Sequence, residues 1–167
     1  MDKTMIITRP EHDLTTRYIS KWSEKILEVA HEKRIDVIEL KNEKVTRENV
    51  LGRLKKKAGM RMLVIFNGHG NENTITGQNY EPLITSDTAE ALKGKVVYAR
   101  SCRSAVGLGR AAVAAGCLAY IGYEEDFTFI YDREKIAKPL EDEKAAMFLE
   151  PSNYVATSLI KGHSASD

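Results

Sequence analysis

Five short apolar runs alternate with helix-like segments, and this alternation limits what the chain can form. Thr4–Thr8 (TMIIT), Ile35–Leu40, Met62–Phe66, Lys95–Ala99 (KVVYA) and Cys117–Tyr123 (CLAYIGY) each have the length and β-forming side chains of a buried strand. Between the first two, from about Asp13 to Lys33, Ile19, Trp22, Ile26, Val29 and Ala30 recur at helical spacing. Thr46 is a predicted N-cap for a helix carrying Val50, Leu51 and Leu54, with Gly59 as its stop. Residues 71–85 are rich in Asn and Gly and read as a surface hairpin. Ser86 is expected to cap a short helix through Leu92. Val106–Ala115 reads as a short Ala- and Gly-rich helix that packs closely. Two further helices, Asp142–Leu149 and Asn153–Lys161, are expected on either side of Pro151. This β-α-β-α-β order implies an α/β fold, with a mostly parallel sheet and helices on both faces.

The remaining numbers narrow the class. The 167 residues suffice for one domain, here 1–167. Lys and Arg number 25 against 24 Asp and Glu, so net charge supplies no reason to expect nucleic acid or an anionic membrane as partner. No apolar run approaches the roughly 18–20 residues that span a bilayer, and the N-terminal apolar stretch is too short for a signal peptide. Two cysteines make no disulfide framework, which fits a reducing, cytoplasmic setting. The histidines and cysteines show no zinc-ligand spacing. Gly162 is expected to close a helix, and Ser164–Asp167 reads as a capping box opening another, as in a piece of a longer chain.

In parallel sheets, function gathers at the C-terminal ends of the strands. Two such ends carry chemistry. The third strand runs into VIFNGHG, residues 64–70, and the fourth into SCRSA, residues 101–105. If these strands are neighbours, His69 and Cys102 face one gap. A cysteine between a strand end and a helix N-terminus, near Arg100 and Arg103, is expected to have its pKa lowered from about 8.5. A histidine can then protonate a leaving amine, and the Gly70 N–H can face an oxyanion. Each residue also has an ordinary reading: Cys102 as a small buried hydrophobe, His69 as a ring tolerating an unusual turn. Cys117, opening an apolar strand, is read as core.

An apolar strand ending in His-Gly, followed by one ending in small-x-Cys-x-Ser, resembles the caspase-like cysteine peptidases. These include caspases, metacaspases, legumains, gingipains, clostripain, separase and CHAT domains. The matching stretches are VIFNGHG and VVYARSCRSA, and the tail FLEPSNYVATSLIKGHSASD looks like the gingipain/CHAT branch. The resemblance implies a three-layer α/β/α sandwich of about five to six strands in the order 2-1-3-4-5. It implies Cys102 as nucleophile, His69 as general acid/base, and the N–H groups of Gly70 and Cys102 as oxyanion hole. It implies a polypeptide substrate and no metal or organic cofactor for the chemistry. Further domains or an activating partner are expected, with residues 124–140 as a candidate pocket-ordering loop. In this superfamily the residue two before the cysteine often lines the pocket for the side chain preceding the scissile bond. Here it is Arg100, whose fork suits a carboxylate, so cleavage after Asp or Glu is expected. Glu124, Glu125 and Asp126 stand against that, as partners of Arg100 or as an acidic pocket of their own, although a solvated acidic turn is the ordinary reading of such a run.

Three other readings bear on the same residues. A cysteine phosphatase loop needs five residues between Cys and Arg, whereas seven separate Cys102 from Arg110. Gly107-Leu-Gly109-Arg-Ala-Ala112 resembles a dinucleotide fingerprint but does not follow its strand directly. A catalytically inactive caspase-like regulatory module is the third.

Overall fold

Parallel pairing of the apolar runs sets the architecture. A computed structural model of the chain describes residues 3–166. Its central sheet is built from β1 (Thr4–Arg9), β2 (Asp36–Lys41), β3 (Met62–Asn67), β7 (Lys95–Arg100) and β8 (Ala119–Ile121). The five strands are all parallel and lie in the order β2-β1-β3-β7-β8, so the predicted order holds. A second, antiparallel sheet comprises β4 (Gly70–Asn71), β5 (Thr74–Thr76) and β6 (Pro82–Thr85). The hairpin expected at 71–85 is therefore a three-stranded unit that starts at Gly70.

Side chains alternate along each strand, and the two faces have separate cores. Ile6, Val64, Phe66, Val97 and Ala99 pack with Val50 and Leu54 of α2 (Arg47–Lys56), Ala112 of α3 (Arg110–Ala114), and the small sheet. Met5, Ile7, Ile65 and Tyr98 face the other way. They pack on Ile26, Leu27 and Ala30 of α1 (Leu14–Glu32) and Ala156 and Ile160 of α4 (Glu143–Lys161). The result is helix, sheet, helix. No helix among the described residues is long and apolar enough to cross a membrane.

Local chemistry starts and stops the elements. Asp13 caps α1: its carboxylate accepts from Thr16 N at 2.8 Å, while Asp13 N donates to Thr16 Oγ1 at 3.2 Å. Thr46 caps α2 as expected. The helical turn at Ser86–Leu92 is a 3-10 helix capped by Thr85 rather than Ser86. The expected helix at 106–115 opens as a wide π turn, Ala105–Gly109, before α3.

One expectation fails outright. The two C-terminal helices are a single helix, α4, that runs through Pro151. Proline lacks the N–H that would pair with the Met147 carbonyl. Both Met147, at 73 % exposure, and Pro151 face solvent, so the missing bond falls on the exposed side of the helix. The buried side of α4 stays intact, with Ala145, Leu149, Ser152, Asn153 and Ala156 all inward. Gly162 ends α4 with φ 102°, as predicted. The helix expected from Ser164 does not form among the described residues; 163–164 are irregular, 165–166 are a turn, and Asp167 lies outside the described residues.

Pro151→Ala is expected to restore the missing helical bond and raise stability by about 1–3 kcal/mol in urea unfolding. An unchanged or lowered midpoint would contradict this account of α4.

Candidate functional site

The ends of β3 and β7 lie side by side, because Asn67 pairs with Arg100 and Gly68 N donates to Arg100 O at 3.4 Å. His69 and Cys102 therefore leave the sheet from neighbouring strands, each two residues past this last pair. Gly68 and Gly70 flank His69 at a close crossing. A Cβ on Gly68 would overlap the Thr76 carbonyl, and one on Gly70 would overlap the Thr74 carbonyl and the Ser101 hydroxyl. Only glycine lets the small sheet fold back this tightly beside the cysteine strand.

His69 has a partner that sequence reading missed. Its Nε2 lies 2.5 Å from Asp13 Oδ2. Asp13 follows the end of β1, the strand beside β3 in the sheet, so the pair sits where the strand order reverses. Burial alone would raise the Asp13 carboxyl. Hydrogen bonds from the Thr16 backbone and hydroxyl and from His69, with His69's attraction, outweigh it and hold the pKa at about 2. Asp13 is thus a carboxylate under any ordinary condition. The Tyr80 hydroxyl also donates to Asp13 Oδ2, at 3.1 Å, and its ring stacks on His69 with centroids 5.1 Å apart. That hydrogen bond pushes the Tyr80 phenol above its ordinary value. Asn79 and Tyr80 both hold positive φ, 54° and 62°, which is costly for side-chain-bearing residues and aims the ring. In the sequence Asp13 is marked only as an acidic residue at a predicted helix start, four positions past the end of the first strand, and nothing there joins it to His69. Tyr80 left no signal, since its placement depends on those two backbone angles.

Cys102 sits in a different environment from the one expected. Its thiol makes a long contact to Phe127 O, 3.9 Å, and no hydrogen bond joins it to His69. The 123–127 segment lies across the cysteine turn, with Arg103 N donating to Glu125 O and Ala105 N to Tyr123 O. Burial pushes the Cys102 thiol up. The Phe127 carbonyl contact and Arg103 oppose this, while Asp126 adds to it. The expected lowering is thus reversed, because desolvation and a nearby carboxylate outweigh one exposed arginine. The partners of both residues nonetheless belong to one side of the sheet. Asp13 caps α1, and Phe127 packs in a cluster with Tyr18, Ile19 and Trp22 of that helix.

Arg100 also departs from expectation. It is fully buried, with Nε donating to Asn67 Oδ1 at 2.7 Å, Nη1 to Asn153 Oδ1 at 2.8 Å and Nη2 to Ser23 Oγ at 2.5 Å. Its fork is engaged inside the protein instead of open to a substrate carboxylate. Neither Glu124, Glu125 nor Asp126 pairs with it; Asp126 meets Arg103 at 3.2 Å. A cleft of about 400 Å³ does lie nearby, between the 123–128 segment and α4. Its walls include Tyr123, Phe127, Phe148 and Val155, so its character is largely apolar. Ser152 stands between this cleft and Arg100.

The 124–140 segment is anchored on α1: Trp22 Nε1 donates to Pro139 O at 3.0 Å and Arg17 Nη2 to Ile136 O at 2.6 Å. The glycine-rich stretch at 107–109 is a packing feature. Gly107 N and Leu108 N both donate to Glu72 O, and Gly109 N to Ser104 O, so these amides are not free to cradle a phosphate. Cys117 is buried at the edge of the core, as expected. Comparison with protein-family models and with curated proteins finds no match for this chain.

Alkylation of Cys102 by iodoacetamide is expected to follow a titration above the ordinary thiol value of about 8.5. Asp126→Asn is expected to shift that titration down and speed labelling at neutral pH. A thiol titrating below about pH 8 in the unmodified chain would contradict this environment.

Proposed function

We propose that the chain is a caspase-like cysteine peptidase domain that hydrolyses peptide bonds with Cys102 and His69. The observation that carries this reading is the His69–Asp13 pair standing at the strand end beside the one that delivers Cys102. A carboxylate on one ring nitrogen fixes the tautomer and favours the imidazolium that forms during proton transfer. With Nε2–H held by Asp13, the nitrogen left for proton shuttling is Nδ1. Asp13 is then a positioning residue, and His69 and Cys102 are the catalytic residues.

The steps follow from these groups. Cys102 gives its proton to His69, and the thiolate sulfur attacks the scissile carbonyl carbon. The oxyanion is met by the N–H groups of Gly70 and Cys102. The C–N bond breaks as His69 protonates the departing amine, leaving a thioester on Cys102. Water, deprotonated by His69, attacks the thioester and releases the carboxylic acid and the thiol. In the arrangement described, the thiol is turned toward Phe127 O and protonated, so the 123–128 segment must shift before Cys102 meets His69. The adjoining apolar cleft supplies a place for a substrate side chain. With Arg100 enclosed, the reading carries no preference for Asp or Glu before the cut.

The raised thiol pKa and the Phe127 contact are what favour the second reading, an inactive caspase-like module. A peptide library separates the two. Wild type is expected to cleave, Cys102→Ala to lose at least about 1,000-fold of that activity, and Asp13→Asn to lose a smaller factor, mainly in kcat. Cleavage surviving in Cys102→Ala, or none in either wild type or a Phe127→Ala variant that loosens the 123–128 segment, would overturn the peptidase reading.

A further inference from the structure

We propose that His12, Asp13 and His69 form a binding site for one divalent d-block cation, of which zinc is the best chemical match. One donor atom from each residue lies within 4.8 Å of the others. Ligand atoms around a tetrahedral ion with bonds of about 2.0–2.2 Å stand roughly 3–3.5 Å apart. The observed separations from Asp13 Oδ2, 2.5 Å to His69 Nε2 and 3.8 Å to His12 Nε2, bracket that spacing. Side-chain adjustments of about 1 Å bring all three onto one centre.

The independent pointer is His12. Its side chain is only 5 % exposed, yet both ring nitrogens are buried without a hydrogen-bond partner. Buried polar atoms are almost always paired, and each orphan costs about 1–3 kcal/mol. The ring is held by an edge-on contact with Tyr80, centroids 4.6 Å apart. A cation between His12 and Asp13 satisfies one of those nitrogens directly. The donor set also selects the ion. Two imidazoles and one carboxylate suit zinc and its neighbours, whereas magnesium and calcium favour oxygen. Three protein ligands leave a fourth position for water. Asp13 Oδ1 stays with Thr16, leaving Oδ2 for the metal, and the Tyr80 hydroxyl orients that oxygen.

This site shares His69 with the proposed catalytic pair. Metal on Nε2 displaces the Asp13 hydrogen bond and places positive charge beside the ring, so His69 no longer cycles as acid and base. Zinc would thus inhibit reversibly. That consequence rests on the peptidase reading; the metal site does not.

The test is calorimetric titration of the Cys102→Ala protein with zinc chloride, alongside the visible absorption of the cobalt(II) form. Cys102→Ala removes a competing thiol and any dependence on turnover. One zinc per chain is expected to bind in the micromolar range or tighter, with no heat from magnesium. In the same background, His12→Phe keeps the ring contact with Tyr80 but has no ligand nitrogen. Asp13→Asn keeps the helix cap but loses the charge. Each is expected to weaken zinc at least about tenfold. Absence of one-to-one binding, or unchanged affinity in both variants, would overturn the site. Zinc binding in a protein that cleaves no peptide supports the site and contradicts only the peptidase reading.

Discussion

At the centre of the molecule a charged guanidinium is held without a carboxylate. Arg100 ends β7 fully buried, and its donors reach Asn67 at the end of β3, Ser23 in α1 and Asn153 in α4. Burial lowers its pKa, and its partners are all neutral. Holding a charge there is costly unless every surrounding dipole is well placed. Asn67 in turn donates to Thr8 O at 2.7 Å, tying in β1. Three strands and two helices are thus fixed at one point, and His69 and Cys102 are attached two residues beyond it. The positions of both candidate catalytic residues depend on that cage.

Strand geometry explains much of what was legible in the sequence. Runs such as VIF and VVYA form strands because both faces of a parallel sheet are buried, and the helix repeats from Ile19 to Ala30 point the same way. From these the strand order and the pairing of the two chemistry-bearing ends follow. What was not legible depends on contacts far apart in sequence. His12 and Asp13 become site residues only because β1 lies beside β3, 56 positions away in the Asp13–His69 pair. The histidines showed no metal spacing along the chain, and no spacing rule joins a helix cap to a distant strand end. Pro151 misled because the rule against proline in helices weighs the lost bond without asking which face of the helix loses it, and here the packed face stays whole.

Arg100 and Cys102 show the same limit on the energetic side. The strand alternation that placed them two residues apart did not reveal which would be exposed. Arg100 turned inward to a cage supplied by α1 and α4. Cys102 came under the 123–127 segment, where desolvation and Asp126 oppose ionisation. The result is a histidine already partnered by Asp13 and a cysteine covered by one loop. Under the proposed function, movement of that loop is the step that joins them.

The most direct measurement is mass-spectrometric mapping of the adduct formed with peptidyl acyloxymethyl ketones, in which an activated thiolate displaces the carboxylate leaving group and forms a thioether. The account predicts modification at Cys102, absent from Cys117, and lost in a folded His69→Ala variant. Labelling that ignores His69, or that falls on Cys117 instead, would contradict the pairing of His69 with Cys102.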